Sequence, residues 1–139
     1  MDLLGDQAVL HSNALAGKTA LICGASRGIG AATAQVMAKA GANVVVASRN
    51  ETQLKALLEQ LKTLGDGQHR MLILDLEETE SIAASVEPLL VEGPIHILVN
   101  NAGGPPGGPL LKATVDELSQ PFARHLHAAH TLVKLLAPG

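Results

Sequence analysis

Tyrosine and tryptophan are absent from the 139 residues, and Phe122 is the entire aromatic complement. A core must therefore be filled by Leu, Val, Ile and Ala, a composition common in parallel sheets covered by helices on both faces. A single cysteine, Cys23, excludes an internal disulfide, so a reducing, cytoplasmic setting is expected. Charge is sparse as well. Lys and Arg number 10 against 13 Asp and Glu, and the net charge of -3 leaves no basic excess for binding nucleic acid. Small molecules are the expected partners. The longest charge-free stretch near the middle, Pro94 to Leu111, is broken by clustered Gly and Pro and could not cross a bilayer as a helix, so no membrane role is indicated. Residues Met1 to Gly17 lack the basic-then-apolar build of a signal peptide.

What is present is a regular alternation. Residues 1–16 show no sustained periodicity and read as a leader, mobile or packed onto the sheet; residues 17–139 read as one domain. Thr19 to Cys23 is a short apolar run ended by glycine. Ile29, Ala32, Val36 and Ala40 follow at helical spacing until Gly41. Val44 to Ala47 predicts a second buried strand, and Leu54, Leu57, Leu58 and Leu61 a second helix. Met71 to Leu74 predicts a third strand, Ser81 to Val91 a third helix disturbed by Pro88, and Ile95 to Val99 a fourth strand. After a Gly/Pro loop, Val115 to Leu136 predicts a long helix that Pro121 kinks or starts. This pattern predicts an α/β fold of the Rossmann type: a doubly wound parallel sheet of four strands, order 3-2-1-4, with about four helices. Winding reverses between strands one and four, which opens a ligand crevice at their carboxyl ends.

Two loops lie at that crevice. Gly24-Ala25-Ser26-Arg27-Gly28-Ile29-Gly30 follows a strand and opens a helix. Glycines there permit a tight turn and close approach of backbone to phosphate, and the helix N-terminus offers free N–H groups. The plainer reading is a generic strand-to-helix turn. Asn100-Asn101-Ala102-Gly103 follows the fourth strand, where Asn side chains that both donate and accept can tie strand ends together; read alone, it is a turn.

Taken together, the glycine-rich loop and the Asn-Asn-Ala-Gly loop resemble those of the short-chain dehydrogenase/reductase family, matched at Gly24, Gly28, Gly30 and Asn100 to Gly103, with the likeness running over about residues 17–139. The resemblance implies a dinucleotide cofactor held by Gly24, Ser26, Arg27, Gly28, Ile29 and Gly30, and by Asn101, Ala102 and Gly103. Asp75, followed by Leu76, matches an acidic residue that lies near the adenine; capping the following helix is its alternative role. Relatives that use NAD commonly carry an acidic residue after strand two, whereas this chain has Ser48-Arg49-Asn50. Arg49, with Ser48 and Arg27, would supply charge-assisted bonds to a 2′-phosphate, so NADP(H) is expected over NAD(H); the alternative is a solvated surface arginine. Cys23 stands where the family has Thr and reads as a small core residue.

His125 falls where the family's long helix carries an active-site Asn. His125, His127 and His130 are a poor metal set, because positions 125 and 127 do not share a helical face, and no metal is expected. His11, His69 and His96 read as structural or exposed. The family's catalytic Ser, Tyr and Lys follow the fifth strand, and nothing in this sequence matches them. The resemblance thus implies the NADP(H)-binding part of an oxidoreductase acting on a small carbonyl or alcohol substrate, without its catalytic half. The alternatives are an inactive NADP(H)-binding or oligomerisation module, or a truncated remnant. Homo-oligomers or self-association are expected, since the long final helix would pack on a partner subunit in the family.

Overall fold

Val44, Val45 and Val46 are all fully buried. Successive strand residues point to opposite faces, so three consecutive buried valines require cover on both sides. The structure, a computed structural model, describes residues 11–104 and 107–138. Its strands are β1 (Thr19–Cys23), β2 (Asn43–Ser48), β3 (Arg70–Ile73) and β4 (Ile97–Val99), all parallel in the order β3-β2-β1-β4. Helices α1 (Gly28–Lys39) and α2 (Glu51–Leu61) cover one face. There Ala20, Ile22, Val44 and Val46 pack with Ala34, Ala38, Leu54 and Leu61. Helices α3 (Ile82–Glu92) and α5 (Ala128–Leu136) cover the other, where Leu21, Cys23, Val45 and Ala47 meet Ile82, Val86, Ala128 and Leu132. The sequence order of strands and the buried alternation agree with expectation.

Several boundaries differ. Strand β3 lies one residue earlier than its apolar run, and β4 starts at Ile97 because the Thr19 N–H is taken by the His96 ring instead of by a backbone carbonyl. Pro88 does not interrupt α3, which is preceded by a 3₁₀ turn at Thr79–Ser81. The expected long helix over 115–136 is wound in three parts. Helix α4 (Val115–Pro121) is opened by a capping box in which Thr114 Oγ1 accepts from the Glu117 N–H (3.2 Å) and the Glu117 carboxylate accepts from the Thr114 N–H (2.7 Å). Phe122–His127 then winds as π-helix, with α5 continuing from it. Pro121 neither starts the helix nor breaks it; the wider winding follows it directly. Of the leader, residues 11–16 form turns against the end of α1, with the Leu15 N–H donating to the Ala40 carbonyl (2.8 Å). Residues 1–10, 105, 106 and 139 lie outside the described residues.

Candidate functional site

The carboxyl ends of the four strands open into a cleft of about 530 Å³. Gly24 leaves β1 with φ +60, and a Cβ there would lie 2.5 Å from the Asn101 carbonyl oxygen, so neither conformation nor space admits a side chain. Gly28 has φ +59, but open space surrounds its missing Cβ. Its value is the bare backbone it presents. Gly30 does not line the cleft. A Cβ there would meet the Gly24 carbonyl oxygen at 2.3 Å, so Gly30 seats α1 against the loop. Helix geometry leaves the first N–H groups of α1 without intrahelical acceptors. No acidic residue occupies that first turn and Arg27 makes no side-chain cap bond, so this positive end is left for an anion. Ser26, Arg27, Gly28 and Ile29 line the cleft around it.

Asn101 joins the ends of the neighbouring strands β4 and β1. Its Nδ2 donates to the carbonyls of Cys23 (3.3 Å) and Gly24 (3.2 Å), which holds the loop after β4 against the glycine-rich loop. Ala102 and Gly103 continue the wall, whereas Asn100 lines only a second, small cavity of about 20 Å³. Cys23 is fully buried beneath the cleft, and burial pushes its thiol up to about 12, which makes it an inert core residue.

At the far end, Ser48, Arg49 and Asn50 line the cleft together with Asp75 and Leu76. Asn50 caps α2 by accepting from the Gln53 N–H (3.0 Å), and Ser48 Oγ accepts from the Asn50 N–H (3.1 Å). The guanidinium of Arg49 stands 3.7 Å from the Asp75 carboxylate, with both side chains substantially solvated. An exposed pair of this kind contributes at most about 1 kcal/mol, so Arg49 is held at the cleft without being committed. Asp75 also accepts from the Glu77 N–H (2.9 Å). It therefore shapes the turn after β3 instead of capping α3.

Arg124 and Gln53 line the cleft although neither stood out in the sequence. Arg124 donates to the carbonyls of Gly103 (2.9 Å) and Gly104 (3.3 Å) and pairs with the Glu77 carboxylate. No short motif could reveal it, because its partners lie 20 to 47 residues away in sequence. His125 is exposed and lines the small cavity with Asn100 and Ala129, outside the main cleft. Among the described residues, no three His, Cys, Asp or Glu side chains are grouped to hold a metal, and no helix is long and apolar enough to cross a membrane.

The family model for short chain dehydrogenase matches residues 18–139. An uncharacterised oxidoreductase of Mycobacterium tuberculosis is 36% identical over 122 residues, covering 87% of this chain and 46% of that protein. A 3-oxoacyl-(acyl-carrier-protein) reductase of Vibrio harveyi is 36% identical over 90% of this chain and 50% of its own length. The chain thus spans about half the length of these relatives. Among solved structures, L-sorbose reductase of Gluconobacter frateurii, complexed with NADPH and L-sorbose, superposes with a TM-score of 0.84 at 30% identity, covering 92% of this chain and 49% of that one. A metagenomic short-chain oxidoreductase in complex with NADP gives 0.82 at 35% identity, covering 89% and 57%.

Proposed function

The chain belongs to the short-chain dehydrogenase family, and from that premise we propose that it is the NADP(H)-binding part of an oxidoreductase that moves hydride between NADP(H) and a small carbonyl or hydroxyl substrate. The observation that carries the cofactor reading is the cleft itself, with an uncapped helix end over bare glycine backbone on one side and a loosely held arginine on the other. The residues fit a dinucleotide in size and charge. The pyrophosphate belongs at Gly24 to Gly30, where backbone N–H groups and the α1 end favour an anion. The 2′-phosphate belongs beside Arg49, whose solvated pairing with Asp75 a doubly charged group outcompetes. Several solved relatives hold NADP or NADPH, which supports the same choice. When bound, the nicotinamide supplies or accepts the hydride. A cytoplasmic setting, read from the lone free cysteine, completes this proposal, and fractionation of cells expressing the protein checks it.

Calorimetric titration tests the preference. One or two charge-assisted bonds at the 2′-phosphate make NADPH binding at least about tenfold tighter than NADH binding. Arg49→Ala removes that margin and leaves NADH nearly unchanged; equal or tighter NADH binding by the unsubstituted chain would sink the assignment. A second reading, a catalytically silent NADP(H)-binding or oligomerisation module, is favoured by the tyrosine-free sequence of these 139 residues. Proton delivery to a developing alkoxide is worth about a hundredfold to ten-thousandfold, and His125, exposed and outside the cleft, is poorly placed to provide it. The 139-residue chain accordingly binds NADPH without oxidising it against a panel of carbonyl compounds. Robust turnover abolished by His125→Ala would instead make that histidine the acid.

A further inference from the structure

We propose that Arg124 is a positioning residue that preforms one wall of the cleft by clamping together the loops that follow the two edge strands. The inference rests on the dinucleotide reading above. In the order β3-β2-β1-β4, the outer strands are β3 and β4, and no ladder hydrogen bond connects them. The loop after β3 brings Leu74, Asp75 and Leu76 to the cleft, and the loop after β4 brings Asn101, Ala102 and Gly103. One guanidinium spans both. Its Nη2 pairs with Glu77 of the first loop, and its Nη1 donates to the Gly103 (2.9 Å) and Gly104 (3.3 Å) carbonyls of the second.

The side chain is only 16% exposed, against 62% for Arg49, and its pairing with Glu77 is part-buried, so water competes poorly for that anchoring contact. Gly103 and Gly104 have open space around them and no side chains of their own to fix their conformation. Gly103 belongs to the cleft wall, and Arg124 supplies the restraint that its own sequence lacks. A wall ordered in advance spares the ligand the entropy of ordering it, which raises affinity without any new contact to the ligand. Lysine could keep the charge opposite Glu77, but as a point charge it cannot reproduce the fixed fork onto two carbonyls.

NADPH titration, thermal melting and amide exchange of the 139-residue chain and of Arg124→Lys separate positioning from general damage. The expected result is that Arg124→Lys weakens NADPH about tenfold while its melting temperature stays within about 3 °C of the parent's, with faster amide exchange at 74–77 and 101–104 in the unliganded variant and unchanged exchange in β1 and β2. Faster exchange throughout the sheet shows a purely structural role and overturns the proposal, as does unchanged NADPH affinity. If the unsubstituted chain does not bind NADPH, the dinucleotide reading itself falls; if it binds NADPH and the variant matches it, only the role of Arg124 does.

Discussion

Gly24 and Gly28 share a left-handed backbone, at φ +60 and +59, yet their surroundings differ completely. Alanine at either position bears the left-handed penalty of about 1–2 kcal/mol. At Gly24 it must also displace the Asn101 backbone, which lies 2.5 Å from the new atom and is tied to β1 by two side-chain hydrogen bonds. Against a total stability of about 5–15 kcal/mol, Gly24→Ala should lower the melting temperature severely and abolish NADPH binding as a consequence. Gly28→Ala should leave a folded chain whose melting temperature drops by only several degrees, because nothing lies within 4 Å of the added atom. Its NADPH affinity should nevertheless fall by about tenfold or more, since the methyl group occupies the line of approach to the α1 end. Parallel melting and titration curves for the two variants check this separation; equal losses of stability would contradict it. The glycine pattern was legible in the sequence, but which glycine serves conformation, which serves space and which serves the helix seat was not. Gly30, expected at the cofactor, instead faces Gly24, a distinction that exists only once the loop has closed.

At the level of elements, the strand starts carry a device that the sequence did not announce. His96 Nδ1 accepts from the Thr19 N–H (3.0 Å) while the His96 N–H donates to the Thr19 carbonyl (2.9 Å), closing the base of the β1 to β4 pair. His69 Nδ1 accepts from the Val44 N–H (3.3 Å), and the neighbouring Gln68 N–H donates to Asn43 Oδ1 (2.8 Å), closing the base of β2 to β3. An imidazole accepts at Nδ1 only when that nitrogen is unprotonated, which places the hydrogen of a neutral His69 on Nε2, a buried atom with no partner among the described residues. Burial holds the His69 pKa below its usual 6.5. The unfolded chain therefore takes up a proton more readily than the folded one. The contribution of His69 to stability is complete above about pH 6.5 and is lost as the pH falls through the lower folded value. Melting temperatures should decline on acidification below about pH 6.5, and His69→Gln, whose carbonyl can accept from Val44 without titrating, should flatten that decline. An unchanged slope in the variant would remove His69 from the account. Sequence alone marks both histidines only as structural or exposed. Their partners, 77 and 25 residues away, could not be seen along the chain. The same blindness concealed Arg124 and the π-wound stretch after Pro121, because apolar spacing reports which face is buried and not how the backbone bonds around the axis.

For the whole molecule, the strand order and the two-sided core were legible because composition and connectivity leave few alternatives: short apolar runs separated by helices demand a parallel sheet with cover on both faces. What such reasoning leaves open is the outer surface of the final helix, and the structure gives it a definite character. Helix α5 is anchored by Ala128, Leu132 and Leu136, one turn apart, whereas α4 buries none of its residues and rests on its capping box and on the π-helical segment. Beside and along it, Leu111 is 100% exposed, Val115 79%, Phe122 60% and Leu126 58%. Val115, Phe122 and Leu126 follow one another at intervals of seven and four residues, which sets them near one another along one side of the helical path, while Leu111 lies in the 3₁₀ turn ahead of it. Strand β4 adds to this, since among the described residues its backbone pairs with β1 alone and leaves its other edge open to a further strand. Apolar stripes and free strand edges of this kind bring chains together. The isolated 139-residue chain should therefore self-associate with rising concentration. Light scattering would show its mean mass climb, and Phe122→Lys with Leu126→Lys should return it toward a monomer, since both side chains are solvated and their replacement costs the fold little. If the doubly substituted chain still associates, the open edge of β4 is the contact. A stable monomer at high concentration for the unsubstituted chain would exclude both.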